Sequence, residues 1–257
     1  DRLHLPRLIF VGQMDKEHAN FERVFADVKA HLSPKVLPVE VPIGEGSTFR
    51  GIVNLFSGKS HIYKPGTKSG EYDEVEVPAE HQAEVKKYSD LLIETVAATD
   101  DALIERYLGG EEIPREEVIA ALKAAVVAGS IVPLFVGSAT LTFGMRALLT
   151  KMVEIFPAAA DVPPPVASPL LGRVFKTTSE PHVGDVTLFR LYAGTLKNGA
   201  DVWNAEHEVA EKLNHLSVQQ GRERTEVGVL HAGDIGSVAK LRDKHTGDTF
   251  CLRDTPV

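Results

Sequence analysis

One cysteine, Cys251, stands among 257 residues. A lone thiol forms no internal disulfide, and no Cys/His pair has zinc spacing. Both absences exclude a disulfide-framed secreted scaffold and fit a reducing, cytoplasmic setting. No run of about 18 apolar residues occurs, so no segment is expected to cross a membrane as a helix. The opening DRLHLPRLIF has no basic stretch leading into a long apolar one, which excludes a secretory signal there. It also has no initiator Met, and a strand begins only a few residues in, the pattern expected of a cut or processed chain. The ten histidines are scattered and read as ordinary surface or core residues.

Apolar residues make up 43% of the chain, enough for real cores and too many for disorder. The length allows one large domain or two to three ordinary ones. The net charge of −8 is uneven: residues 170–257 hold 11 Lys and Arg against 12 Asp and Glu, the first 169 hold 17 against 24. The acidic first part is thus a poor grip for a polyanion. The near-neutral second part has room for a local basic patch.

Leu8-Ile9-Phe10-Val11 reads as a buried strand, and residues 19–32 carry Phe21, Val24, Phe25 and Val28 at helical spacing. Residues 35–43 and 49–64 read as strands, 69–78 as an acidic strand or hairpin, and 79–98 as a helix. Thr99-Asp100 caps DALIERYL, Gly109-Gly110 stops it, and Pro114 and Gly129 bound a further helix. Residues 35–129 therefore read as an α/β insertion with its own core. IVPLFVGSAT (131–140) returns to a buried strand, and 144–156 is an amphipathic helix. PAAADVPPPVASP is a linker and the clearest domain boundary. Beyond it the period becomes 2, with Asn198-Gly199 as the strongest short hairpin signal. Six or more strands in about 88 residues predict a small closed barrel.

Two strand ends carry the candidate chemistry. One runs into Gly12-Gln13-Met14-Asp15, the other into Gly137-Ser138-Ala139, and a helix follows each. In a doubly wound sheet, neighbouring strand ends converge on one crevice. A carboxylate there accepts hydrogen bonds from N1 and N2 of guanine, and a Ser-Ala loop offers an N–H to O6. Adenine has the opposite donor and acceptor pattern at these atoms. Alone, Asp15 reads equally well as the N-cap of the following helix. The order of the two strand ends, flanking an insertion, is the more specific signal.

FVGQMDKEHANF resembles the guanine-specificity motif of the bacterial elongation factor G family, where Asn-Lys-Met-Asp is expected. IVPLFVGSA resembles that family's last nucleotide motif. PIGEGSTFRGIVNLF and AATDDALIERYLGGEEI are similar to the subdomain inserted in its nucleotide domain. HVGDVTLFRLYAGTLKNGADVWN, AGDIGSVAKL and HTGDTF are similar to its second domain. The likeness covers essentially the whole chain in order.

The resemblance implies a fold of α/β plus all-β type. Residues 1–34 and 130–157 would be the C-terminal part of a P-loop-type GTPase domain, and 35–129 its inserted α/β subdomain. Residues 158–169 would be a linker, and 170–257 a translation-factor β-barrel. It implies Asp15 on the guanine edge and Ser138 and Ala139 at O6. Met14 keeps its family identity, whereas Gly12 and Gln13 replace an Asn that bonds the base and phosphate loop and a Lys that covers the base. Each lost neutral hydrogen bond costs roughly 0.5–1.5 kcal/mol and a charged one up to about 3, so binding is expected to be roughly 10- to 1,000-fold weaker with guanine preference kept. These changes mark an atypical paralogue.

A phosphate loop, G-x-x-x-x-G-K-[ST], is missing. Its only echo is Gly58-Lys59-Ser60, where the first glycine is due at Val53. Lys59 and Ser60 are expected on a solvated turn. The chain is read as a fragment holding the base-reading half of a GTP/GDP site, with Mg bound only in the whole protein. No catalytic residue and no metal ligand is expected. Implied partners are the small ribosomal subunit RNA for the barrel, with Arg190, Lys197, Arg222, Arg224, Lys240 and Arg242 as basic candidates, and the ribosomal stalk protein for the insertion. The missing N-terminal part of the nucleotide domain would be a third. The alternative is a non-catalytic ribosome- or partner-binding module. An oxidoreductase reading of GEGSTFRG (44–51) fails because the third glycine falls on Phe49 and no strand–glycine–helix unit surrounds it.

Overall fold

The computed structural model describes residues 5–161, 164–180, 184–221, 223–239, 241 and 245–257. The chain divides into two units, Asp1–Phe156 and Pro157–Val257, at the start of the Pro/Ala stretch.

The first unit runs β1 (Ile9–Val11), α1 (Phe21–His31), β2 (Val36–Pro38), β3 (Glu40–Ile43), β4 (Gly51–Asn54), β5 (Lys59–Tyr63) and β6 (Tyr72–Glu76). It continues with α2 (Gln82–Ala97), α3 (Asp101–Leu108), α4 (Arg115–Ala128), β7 (Val132–Val136) and α5 (Met145–Ile155). A parallel sheet has the order β1-β7-β2, with Val11 level with Val136 and Pro38 level with Leu134. An antiparallel sheet has the order β3-β4-β5-β6.

The expected single strand over 35–43 is divided. The Val39 N–H donates to Leu134 O, whereas its carbonyl accepts from Leu55 N, so the chain changes sheets at that residue. Every residue from Val36 to Ile43 is buried, so no alternation marks the switch. The residues expected to form a separate core over 35–129 are instead continuous with the parallel sheet. Leu134 and Phe135 belong to one cluster with Ile43, Ile52, Leu92 and Leu122. A chain that leaves a sheet by one strand and returns by its neighbour has one hydrophobic floor to share.

Local chemistry sets the helix ends. The Asp100 carboxylate accepts from Ala102 N (2.9 Å) and Leu103 N (3.0 Å) to start α3. Gly129, at φ 70°, ends α4 in the left-handed conformation that costs glycine least.

The second unit holds β8 (Leu171–Glu180), β9 (Gly184–Ala193), β10 (Thr195–Lys197), β11 (Ala200–Asn204) and β12 (Val209–Leu213). Then come β13 (Ser217–Gln220), β14 (Glu223–Glu226), β15 (Val229–His231), β16 (Ile235–Ala239) and β17 (Thr249–Cys251). Eight of these form one antiparallel sheet, β12-β11-β17-β8-β9-β16-β13-β14, and β10 pairs with β15. The sheet curls as a β-barrel about Val174, Phe189, Leu191, Val202, Leu213 and Phe250. A closed barrel was expected, but no ladder joins the edge strands β12 and β14 among the described residues.

A Cβ at Gly172 would lie 2.0 Å from the Phe250 ring, so the ring's packing demands glycine there. Asn198-Gly199 makes a turn but no hairpin. Gly199 N donates to Leu213 O, and Asn198 N to Gly228 O, so the flanking strands take different partners.

Candidate functional site

β1 and β7 run parallel and end level, which brings Gly12–Asp15 beside Gly137–Ala139. Backbone hydrogen bonds lock the two loops together. Gly137 N donates to Val11 O (3.0 Å) and Met14 N to Gly137 O (3.1 Å). Met14 is buried as the anchor of the first loop. Gln13 lies in the left-handed region at φ 59° and is exposed. Gly137 permits the approach: a Cβ there would lie 2.3 Å from Phe143 O.

Asp15 does not cap α1. That cap is Asn20, whose side chain accepts from Arg23 N at 2.8 Å. The Asp15 carboxylate instead lies beside Ser138 and 3.4 Å from Lys16 Nζ. The Ser138 side chain, aided by Lys16, holds the Asp15 carboxyl below its ordinary value against the opposing effect of burial. It is therefore ionised and an acceptor only. Its Oδ1 is buried with no hydrogen-bond partner among the described residues.

Ser138 is fully buried, and its hydroxyl meets Thr140 Oγ1 (3.1 Å) and accepts from Leu141 N (3.3 Å). Ala139 is exposed, and its N–H donates no hydrogen bond among the described residues. The adjoining loops thus carry a partly exposed, ionised carboxylate and an undonated amide.

Two buttresses were not foreseen. Glu45 Oε1 accepts from Phe21 N at 2.6 Å, and Gly46 N donates to Met14 O at 2.8 Å. GEGST is therefore a turn that supports the Asp15 loop from the insertion. The one sequence signal for it is the reciprocal Glu45/Thr48 capping pattern.

Gly12 is not required by its backbone. Its φ lies outside the left-handed region, and a Cβ would meet only the Phe10 ring at 3.4 Å. Lys59 and Ser60 are not on a solvated turn. They open β5, with Lys59 paired to Glu76 and Ser60 fully buried, because β5 is an inner strand. A cavity of about 670 Å³, lined by Glu17, His18, Glu22, Glu45, His81 and Glu84 among others, includes neither Asp15 nor Ser138.

Among the basic candidates of the barrel, Arg224 is committed to Glu180 (3.3 Å) and Arg190 stacks on Tyr192 at 5.1 Å. Lys197 is exposed, and Arg222, Lys240 and Arg242 lie outside the described residues. Among the described residues no helix is long and apolar enough to cross a membrane.

Residues 169–253 match the family elongation factor G domain 2. The whole chain is similar to a crystal structure of a Thermus thermophilus protein, with a TM-score of 0.85 and 30% sequence identity. The match covers 100% of this chain and 37% of that one.

Proposed function

The chain belongs to the elongation factor G family of translation factors, and from that premise we propose that it carries the guanine-reading half of a GTP/GDP site together with a ribosome-docking barrel. The observation that carries the reading is the ionised, partly exposed Asp15 on a loop locked to the one that bears the undonated Ala139 amide. The carboxylate would accept from N1 and N2 of guanine, and Ala139 N–H would donate to O6. Ser138 keeps Asp15 ionised and in place. Adenine would present a lone pair at N1 to the carboxylate and a donor at C6 to the amide, two repulsive contacts.

The whole protein's GTP hydrolysis, its Mg²⁺ and ribosomal translocation are proposals resting on family membership, since the chain spans 37% of the structure it matches. So are small-subunit RNA as the barrel's partner, the stalk protein as the insertion's, and a cytoplasmic setting. Among the described residues none forms a phosphate loop.

Calorimetric titration with GDP and with ADP tests the reading. GDP should bind more weakly than micromolar and ADP not at all. Asp15→Asn should weaken GDP roughly tenfold or more, the worth of a charged hydrogen bond. Micromolar GDP binding would overturn the half-site, and equal binding of GDP and ADP would overturn guanine recognition.

Gly12 favours a second reading, a non-catalytic ribosome-binding module. The backbone leaves room for a side chain there, so the missing contact is not a demand of the fold. Ribosome co-sedimentation of a chain that fails to bind GDP would select it.

A further inference from the structure

The barrel holds a side-chain cluster separate from the guanine ledge. His207 lies on the turn between β11 and β12, and His245 and Asp248 precede β17. The pairing of Asn204 with Phe250 sets the two turns side by side. His207 Nε2 is 3.3 Å from His245 Nδ1 and 3.4 Å from Asp248 Oδ2. His245 Nδ1 is 4.0 Å from Asp248 Oδ2. We propose that His207, His245 and Asp248 form a binding site for a divalent transition metal of the zinc class.

Three observations carry this. Zn–N and Zn–O bonds of about 2.0–2.2 Å at tetrahedral angles put neighbouring ligand atoms about 3.3–3.5 Å apart. Two of the three edges have that length. The third is longer, and the His245 ring, 70% exposed, has freedom to close it.

Next, the histidines do not satisfy each other. His207 Nε2 faces both an imidazole nitrogen and a carboxylate oxygen, and a single N–H serves one of them. A metal ion takes both nitrogens and the carboxylate at once.

Last, the carboxylate is held in place. Asn204 Nδ2 (3.0 Å) and His245 N (2.9 Å) donate to Asp248 Oδ2. Asn204 Oδ1 in turn accepts from Glu206 N (3.1 Å) and His207 N (3.3 Å), fixing the turn that carries the other imidazole. Ligands oriented by such outer hydrogen bonds are the mark of a built site.

Two imidazoles and one carboxylate suit zinc, nickel, copper or cobalt and not magnesium or calcium, which require oxygen ligands. Three protein ligands leave a fourth position for water or a partner's side chain. The ion would clip the 205–208 turn to the 245–248 turn, and binding only the folded barrel would stabilise it.

The test is calorimetric titration of the full chain with ZnCl₂, with Co²⁺ absorption as the geometric readout. One Zn²⁺ should bind per chain and raise the melting temperature. Co²⁺ should give the intense visible bands of four-coordinate metal. His207→Ala and His245→Ala, both at exposed positions, should each weaken binding at least about tenfold and abolish the thermal shift. His207→Gln, which keeps a polar side chain on the turn, should lose the metal as well. Failure to bind one ion per chain, affinity unchanged in the histidine variants, or a pale six-coordinate Co²⁺ spectrum would overturn the proposal.

Discussion

The two units differ in how completely they pair their buried polar side chains. In the first unit Glu40, Ser60 and His61 are buried with polar atoms that lack partners among the described residues, whereas the equally buried Asn54, Ser138 and Lys151 are paired. In the barrel Thr187, Asn204, Glu211, Ser217, Ser237 and Asp248 are equally buried, and none has such an orphan. The barrel's orphaned atoms belong to the partly exposed Thr177, Arg190, Gln219 and Arg224. An unpaired buried group costs its full desolvation, so the first unit stores in its core a cost that the barrel core avoids. Removing an orphaned group from the first core and a paired group from the barrel core should therefore have opposite signs.

The largest effect is expected in the barrel. Asn204→Ala removes at least three hydrogen bonds at once and strips a donor from the buried Asp248. It should cost about 3–5 kcal/mol in chemical denaturation. If stability were unchanged, the contrast between the units would fail.

Glu40 supplies the opposite case. Burial pushes its carboxyl up to about 8, and the nearby Lys151 only partly offsets this. The folded state then holds a proton that the unfolded chain has released. Stability from this group is present below the ordinary carboxylate range and declines as the pH rises through about 8. The decline should approach about 1.4 kcal/mol per pH unit at its steepest. Glu40→Gln should flatten that dependence in melts at pH 5 and pH 8, and Glu40→Met should stabilise the chain at pH 8.

Ser217 and Ser237 sharpen the comparison at smaller scale. Their hydroxyls lie 3.0 Å apart and each is within hydrogen-bond reach of the other's carbonyl, so one can donate to its partner hydroxyl while the other donates to a carbonyl. Either serine changed to alanine should cost about 1–3 kcal/mol, and the double variant less than the sum. Asn20→Ala, on the surface of the first unit, should cost about 1 kcal/mol through loss of the α1 cap. It should leave nucleotide discrimination intact, since Asp15 does not serve that cap.

Much of this was legible in the sequence wherever local chemistry decides. Asp100 and Gly129 mark helix ends by capping and by φ. The runs ending at Val11 and Val136 mark the parallel strands, and hence the place of Asp15, Ser138 and Ala139. Partner choice was not legible. Residues 36–43 are buried throughout, so the switch of sheets at Val39 leaves no periodic trace. Asn198-Gly199 turns the chain without pairing its flanks, because β10 and β11 find other strands. Glu45 and Gly46 support the Asp15 loop from about 30 residues away, across a sheet switch. His207 and Asp248 are brought together by barrel register alone, with no ligand spacing to announce them.

Amide chemical-shift mapping is the most direct test of the guanine ledge. Guanosine and adenosine would be added separately to the labelled chain. Guanosine should move the amides of residues 12–15 and 137–139, Ala139 most of all, and adenosine should leave them in place. Equal shifts from both nucleosides, or guanosine shifts confined to residues elsewhere, would contradict the assignment of Asp15 and Ala139 to the base.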